Sequence, residues 1–243
     1  EKYALRPNLM TMKKNYRIAS LACAGAVLLT STTASAAAVI AAWDVSTSTG
    51  GATLPAAVQA GNILAKDITI GGALTAEGRN GSFGTLDWEK DGYVQFGFTV
   101  ASGFQAEIDQ IFLGASSQNT GPGNMALYQV GNATPLATWV QSVGEWVQSG
   151  NETLNMVVTG DFDVRITKTD DVSALGVWAG DNSLKVSTGA WWRIYDWTNP
   201  ESGETEMIGF TGTVSPVPEP STYALIAGLG LVAFGFARRR FAK

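Results

Sequence analysis

Tyr93-Val94-Gln95-Phe96-Gly97-Phe98-Thr99-Val100 decides the fold class. Val94, Phe96, Phe98 and Val100 take every second position, with Tyr93, Gln95, Gly97 and Thr99 between them. Successive side chains of a strand point to opposite faces, so this period of two predicts a strand with one buried face and one mixed face. Gly103 marks a turn, and Ala106, Ile108, Ile111 and Leu113 follow it. The phase slips between Ile108 and Ile111, which predicts a bulge.

Upstream, residues 39–45 (VIAAWDV) read as a first strand, residues 54–66 admit a short helical turn, and residues 67–70 read as a short strand. Residues 73–91 are Gly-rich, with Phe83, Leu86 and Trp88 as isolated anchors. Downstream, residues 125–130 and 135–140 are predicted strands. Leu154, Met156 and Val158, then Phe162, Val164 and Ile166, alternate around Gly160-Asp161 and read as a hairpin. The aromatic run 190–197 (AWWRIYDW) puts Trp192 and Ile194 on one face and Trp191, Arg193, Tyr195 and Trp197 on the other. Residues 199–204 form a turn and 207–214 a closing strand. No sustained 3.6-residue period appears between the two ends. The expected fold is all-β: a two-sheet antiparallel jelly-roll-like sandwich, flanked by an N-terminal signal-peptide helix and a short C-terminal transmembrane helix.

The front end carries a basic patch from Met12 (MKKNYR), an apolar run over residues 18–29 and a small-residue site at Ala34-Ser35-Ala36. This pattern predicts a signal peptide over residues 12–36, with Ala34 and Ala36 as the small residues of its cleavage site and Ala37 as the mature start, and with residues 1–11 a spurious or introduced extension. The one cysteine, Cys23, would leave with it. The body, residues 37–215, then folds without a disulfide, on its hydrophobic core alone. The chain has no histidine, which excludes serine–histidine and cysteine–histidine hydrolases and histidine-bearing zinc sites. The body holds 19 acidic and 7 basic residues, a net of −12. That charge disfavours nucleic acid as a partner.

The back end, residues 216–243, has three parts in order. Val217-Pro218-Glu219-Pro220-Ser221 comes first, then an uncharged apolar segment over residues 223–237, then Arg238, Arg239 and Arg240. The two prolines make a stiff boundary. Fifteen helical residues span about 22 Å, less than the roughly 30 Å hydrocarbon core. The arginines would hold the end at the cytoplasmic face. Composition alone reads this as an ordinary membrane anchor.

The order of motif, helix and arginines resembles the PEP-CTERM sorting signal of exported proteins in bacteria that make exopolysaccharide. The resemblance implies an exosortase-type membrane sorting enzyme as partner. It also implies transient inner-membrane anchoring through the tail, then delivery to the cell surface or extracellular matrix. Residues 39–214 are similar to a recurrent ectodomain of such proteins. The similarity rests on Ala42-Trp43-Asp44, the 93–100 strand, Gly121-Pro122-Gly123 ahead of Met125-Ala126-Leu127-Tyr128, Trp192-Arg193-Ile194-Tyr195, and the closing Gly209-Phe210-Thr211-Gly212-Thr213-Val214. It implies a lectin-type or jelly-roll sandwich and carries over no catalytic residue.

Three kinds of chemistry stay open to the body. Asp87/Glu89/Asp91, Glu107/Asp109 and Asp161/Asp163 are carboxylates that share a strand face, but a glycosidase needs two facing carboxyls across a cleft. Asp161, Asp163, Asp170 and Asp171 are weak calcium-ligand candidates, without EF-hand spacing. No other cofactor is expected. Trp191, Tyr195 and Trp197 would make a glycan-binding platform if their face is open; packing against other residues is the favoured alternative. The expected function is a non-enzymatic exported surface or extracellular-matrix protein, structural or adhesive, with exopolysaccharide as partner. The alternative is a carbohydrate-binding module with an exposed aromatic platform; a carboxylate-based glycoside hydrolase comes third.

Overall fold

A computed structural model describes residues 38–78, 81–141, 147–148, 152–178, 184–195, 197–198, 205–206, 208–217 and 220–241. The extension 1–11, the signal peptide 12–36 with Ala34 and Ala36, the turn at 199–204, and Pro218 and Glu219 lie outside the described residues, as do the side chains of Trp197, Pro220, Ser221 and Arg240.

The body is built from three antiparallel sheets. The first runs, edge to edge, Glu152–Val158, Phe104–Phe112, Ile208–Pro216, Ala38–Trp43 and Val58–Gln59. The second runs Pro135–Val140, Asn124–Gln129, Asp161–Lys168, Gly92–Val100, Ile63–Gly72 and Thr53–Leu54. The third runs Val147–Gln148, Gly114–Ser117, Trp192–Tyr195, Phe83–Leu86 and Thr75–Ala76. A two-stranded ribbon pairs Trp197–Thr198 with Thr205–Glu206.

The period-two residues do what their spacing requires. Val94, Phe96, Phe98 and Val100 are buried, and so are Phe162, Val164 and Ile166 beside them in the second sheet. Phe210 of the first sheet meets their rings. Its centroid lies 5.7 Å from Phe96, 5.6 Å from Phe98, 5.6 Å from Phe162 and 6.2 Å from Trp43. The first and second sheets therefore face each other across an aromatic core, the arrangement of a sandwich. The third sheet adds Phe83, Ala115, Trp192 and Ile194 to the same core cluster, and Trp88 stands edge-on to Trp192 at 5.7 Å.

The sandwich is as expected, with three sheets where two were expected. One chain segment serves two of them: Phe104–Phe112 lies in the first sheet, and after Leu113 the chain continues as Gly114–Ser117 in the third. The predicted bulge is present. Thr211 pairs with Gln110 and Gly212 with Ile108, so Asp109 is the extra residue.

Three local expectations are corrected. Glu152–Val158 and Asp161–Lys168 do not form a hairpin. The former pairs with Phe104–Phe112 in the first sheet and the latter with Gly92–Val100 and Asn124–Gln129 in the second, so residues 159–160 cross between layers. Residues 54–66 hold no helical turn among the described residues, because Val58–Gln59 hydrogen-bonds to Ala38–Trp43 as an edge strand. The short strand at 67–70 is part of the ten-residue strand Ile63–Gly72. A five-residue helix, Ala174–Trp178, lies where no element was expected.

The first and last strands of the body are neighbours. Ala38 pairs with Gly212 and Trp43 with Ile208, while the other side of Ile208–Pro216 pairs with Phe104–Phe112. One further hydrogen bond runs from the Val217 amide to the Gly103 carbonyl, 2.9 Å. The helix Pro220–Phe241 follows, with Pro220 at its first position, where a missing N–H costs nothing. Leu225, Ile226, Leu229, Leu231, Val232, Phe234 and Phe236 are all exposed on it. These positions circle the helix axis, so it is apolar on every side. No helix among the described residues is long and apolar enough to cross a membrane. The expected C-terminal helix is thus present, but its uncharged run is short and Arg238, Arg239 and Arg240 occupy its last turns.

Candidate functional site

The aromatic strand has the predicted phase. Trp192 and Ile194 are buried in the core, and Trp191, Arg193 and Tyr195 take the opposite face. That face is filled by its own arginine. Arg193 is only 6% exposed, and its guanidinium carbon sits 3.8 Å from the Trp191 ring centroid. Its Nη1 donates to the Tyr195 hydroxyl at 3.1 Å, and its Nε and Nη2 engage both carboxylate oxygens of Glu77. Gly84 lies directly across the ladder from Arg193, and a Cβ there would run into the Glu77 carboxylate and stem. The missing side chain is what lets the ion pair lie flat on the sheet. A bidentate arginine–carboxylate pair stacked on an aromatic ring is self-satisfied. Trp191 and Tyr195 therefore clamp an internal ion pair and do not form an open platform. Glu77 was not a candidate in the sequence, because it lies 116 residues from its partner.

The carboxylate candidates separate into two groups. Asp161 and Asp163 share a face, as their spacing predicts, and Lys66 reaches both, with Nζ 3.1 Å from Asp161 Oδ1 and 2.9 Å from Asp163 Oδ2. The Thr99 hydroxyl donates to Asp161 at 2.5 Å. Thr99 first, and Lys66 second, hold the Asp161 carboxyl below its usual range. Burial works to lower the Lys66 amine, but Asp163 and Asp161 together raise it. Asp170 and Asp171 lie beyond the other end of the same strand. Asp170 accepts from Asn124 Nδ2 at 2.8 Å and from the Val172 amide at 3.0 Å. Asp171 pairs with Lys168 at 2.6 Å, and that lysine lowers its carboxyl.

Five steps of strand separate Asp163 from the strand's end at Lys168, about 17 Å at the usual rise, and Asp170 lies beyond that end. The four calcium candidates are thus not brought together, and among the described residues no group of three or more His, Cys, Asp or Glu stands close enough to hold a metal ion. Of the other carboxylates, Asp87 accepts from the Thr75 hydroxyl at 2.7 Å, which lowers it, and pairs with Lys90 at 3.5 Å. Glu107 is exposed on the first sheet, next to the bulge at Asp109.

An open site lies elsewhere, on the outer face of the second sheet. Register places Tyr128, Arg165 and Gln95 side by side on three adjacent strands. The guanidinium of Arg165 stacks 3.8 Å from the Tyr93 ring centroid, and its Nε donates to Gln95 Oε1 at 2.8 Å. Tyr93 in turn lies over Gly71, across the ladder, where a Cβ would meet its ring. Between Tyr93 and Tyr128 opens a pocket of about 260 Å³, with Arg165, Thr167, Gln129 and Asn132 also in its wall. No carboxylate lines it. Tyr93 was placed on the outward face by its alternation. Tyr128 and Arg165 are on the outward phase of their own strands as well, but nothing in the sequence says that the three strands are neighbours.

Residues 216–240 match the family model described as the PEP-CTERM protein-sorting motif. No curated protein and no solved structure matches the chain. The matched stretch begins at the last residue of the closing strand and ends among the arginines. Such a motif marks an exported protein whose C-terminal signal an exosortase recognises. The chain thus carries a PEP-CTERM protein-sorting motif over residues 216–240, which supports its being a PEP-CTERM domain-containing protein.

Proposed function

We propose that this protein is a non-enzymatic component of the cell surface or extracellular matrix, held transiently in the inner membrane by its tail and then sorted, with a structural or adhesive role alongside exopolysaccharide. One observation carries the reading. A disulfide-free sandwich is closed by a strand that runs straight into a matched sorting motif, whose helix is apolar on all sides. A short apolar helix ending in arginines is suited to rest in a membrane with its charged end at the surface.

The test is fractionation of the producing bacterium. In the wild type, the body is expected at the surface or in the matrix, with a mass reduced by loss of the tail. Changing Pro218, Glu219 and Pro220 together to alanine is expected to leave an uncut precursor in the inner membrane. A triple variant with wild-type mass and distribution overturns the sorting reading.

A further inference from the structure

We propose that the Tyr93–Arg165–Tyr128 pocket on the outer face of the second sheet binds a carboxylate-bearing sugar unit of an acidic polysaccharide. The inference rests on the reading that exopolysaccharide is the partner, and gives that partner a chemistry and a place.

Arg165 is the starting point. Lys66, Lys90, Lys168 and Arg193 each have a carboxylate within 4 Å. Among the described residues Arg165 has none. Its Nε is used by Gln95 and its plane rests on Tyr93, which leaves the Nη edge of a pre-oriented fork. A planar guanidinium locked by stacking is matched to a carboxylate, which it binds through two parallel hydrogen bonds.

The surroundings select a sugar among carboxylates. Tyr128 pairs directly with Arg165 across the ladder, so an apolar ring stands beside the fork, where the C–H face of a pyranose can rest. Asn132 accepts from the Thr134 amide through its Oδ1, which leaves its Nδ2 donors to the pocket. The Thr167 hydroxyl donates to the Gly92 carbonyl and retains its acceptor capacity. Two rings, one cation and neutral donors and acceptors suit a molecule with an apolar face, one acid and several hydroxyls. A volume of about 260 Å³ suits one such unit.

The nearest carboxylate on the same strand face, Asp163, is paired with Lys66, a lysine that it shares with Asp161. More distant charges are screened beyond about 8 Å at physiological ionic strength.

The experiment is calorimetric titration of the purified protein with three probes: trigalacturonate, a mannuronate trimer, and the fully methyl-esterified trigalacturonate, which keeps shape and loses charge. At least one acid is expected to bind with a Kd of about 1 mM or tighter, and trigalacturonate about tenfold or more tighter than its ester. Arg165→Gln is expected to lose about tenfold or more for the acid, Arg165→Lys less, and Tyr128→Ala to weaken acid and ester alike. Failure of both acids to bind overturns the proposal, as does an ester that binds as well as its acid, or an Arg165→Gln variant that binds as wild type does. If thermal melting shows Arg165→Gln unfolded, the acid–ester ratio in the wild type and the Tyr128→Ala variant decide. Equal binding of acid and ester, both lost in Tyr128→Ala, would remove the acidic sugar while leaving the polysaccharide partner. Fractionation of the tail variant tests the sorting reading independently.

Discussion

Changing Phe210 to alanine removes the ring on which the two facing layers meet. Phe210 is fully buried, and four aromatic rings stand 5.6–6.2 Å from it, three of them on the opposite sheet. A buried Phe→Ala change costs about 3–5 kcal/mol through lost transfer energy and the cavity left behind. Each ring pair adds about 0.5–1.5 kcal/mol beyond area burial, so the expected loss is at the top of that range, about 5 kcal/mol. Phe210→Leu keeps most of the volume and is expected to cost about 1–2 kcal/mol. Val157→Ala is the control: Val157 is 59% exposed, so the change should cost under about 0.5 kcal/mol. The assay is urea unfolding followed by tryptophan fluorescence, with midpoints compared at unchanged slope. A Phe210→Ala loss below about 1.5 kcal/mol, or one no larger than that of Val157→Ala, would refute the packing of the first sheet on the second. The body has no disulfide to soften such a loss, and a domain's whole stability is only about 5–15 kcal/mol.

The remaining predictions concern polar partners. Trp43→Phe is expected to cost about 1 kcal/mol more than Trp192→Phe, because Trp43 Nε1 donates to the Lys66 carbonyl at 2.8 Å while the buried Trp192 Nε1 has no acceptor among the described residues; equal costs in urea unfolding would count against this. Asp161, Asp171 and Asp87 have lowered folded-state pKa values, through Thr99, Lys168 and Thr75 respectively, so their stabilisation is complete above the ordinary aspartate range and lost as pH falls through the lowered values. The melting temperature should fall below about pH 4, less steeply in Asp161→Asn; a rise on acidification would refute it. Lys66 runs the other way, stabilising below its ordinary value and losing that contribution as pH rises through its raised one. Millimolar calcium and chelator should give melting temperatures within about 1–2 °C of each other; a calcium-dependent rise of about 5 °C or more would mean that the aspartates exchange lysine for metal.

What was legible in the sequence was the local face of each strand. Alternation at Val94/Phe96/Phe98/Val100 and at Trp192/Ile194 named the buried side correctly, and the slip between Ile108 and Ile111 named the bulge at Asp109. Alternation tells which side chains leave water, but not which strand lies alongside. That is why Leu154-to-Val158 and Phe162-to-Ile166 read as a hairpin while each pairs in a different sheet. The same blindness hid the open pocket: Tyr93, Tyr128 and Arg165 converge only through pairings 37 and 70 residues apart, such as Tyr128 with Arg165 and Gln95 with Arg165. It also hid what covers the 190–197 face, because the carboxylate that closes it comes from a Gly-rich stretch with no strand signal of its own. The sorting motif was legible, since its signal is linear and needs no partner strand.

The strand Ile208–Pro216 is the last of the sandwich to be synthesised, yet it is an interior member of its sheet, flanked by Phe104–Phe112 and Ala38–Trp43. It acts as a keystone. Until it arrives, two strands that were made much earlier wait with bare hydrogen-bonding edges and a gap where Phe210 belongs. In an exported chain that threads out from its front end, the sheet cannot seal while residue 216 is still in transit. Sealing and the presentation of the motif that begins there are thus consecutive moments of one passage. A chain cut short ahead of residue 208 would instead hold out two unpaired edges to its neighbours, an invitation to aggregate.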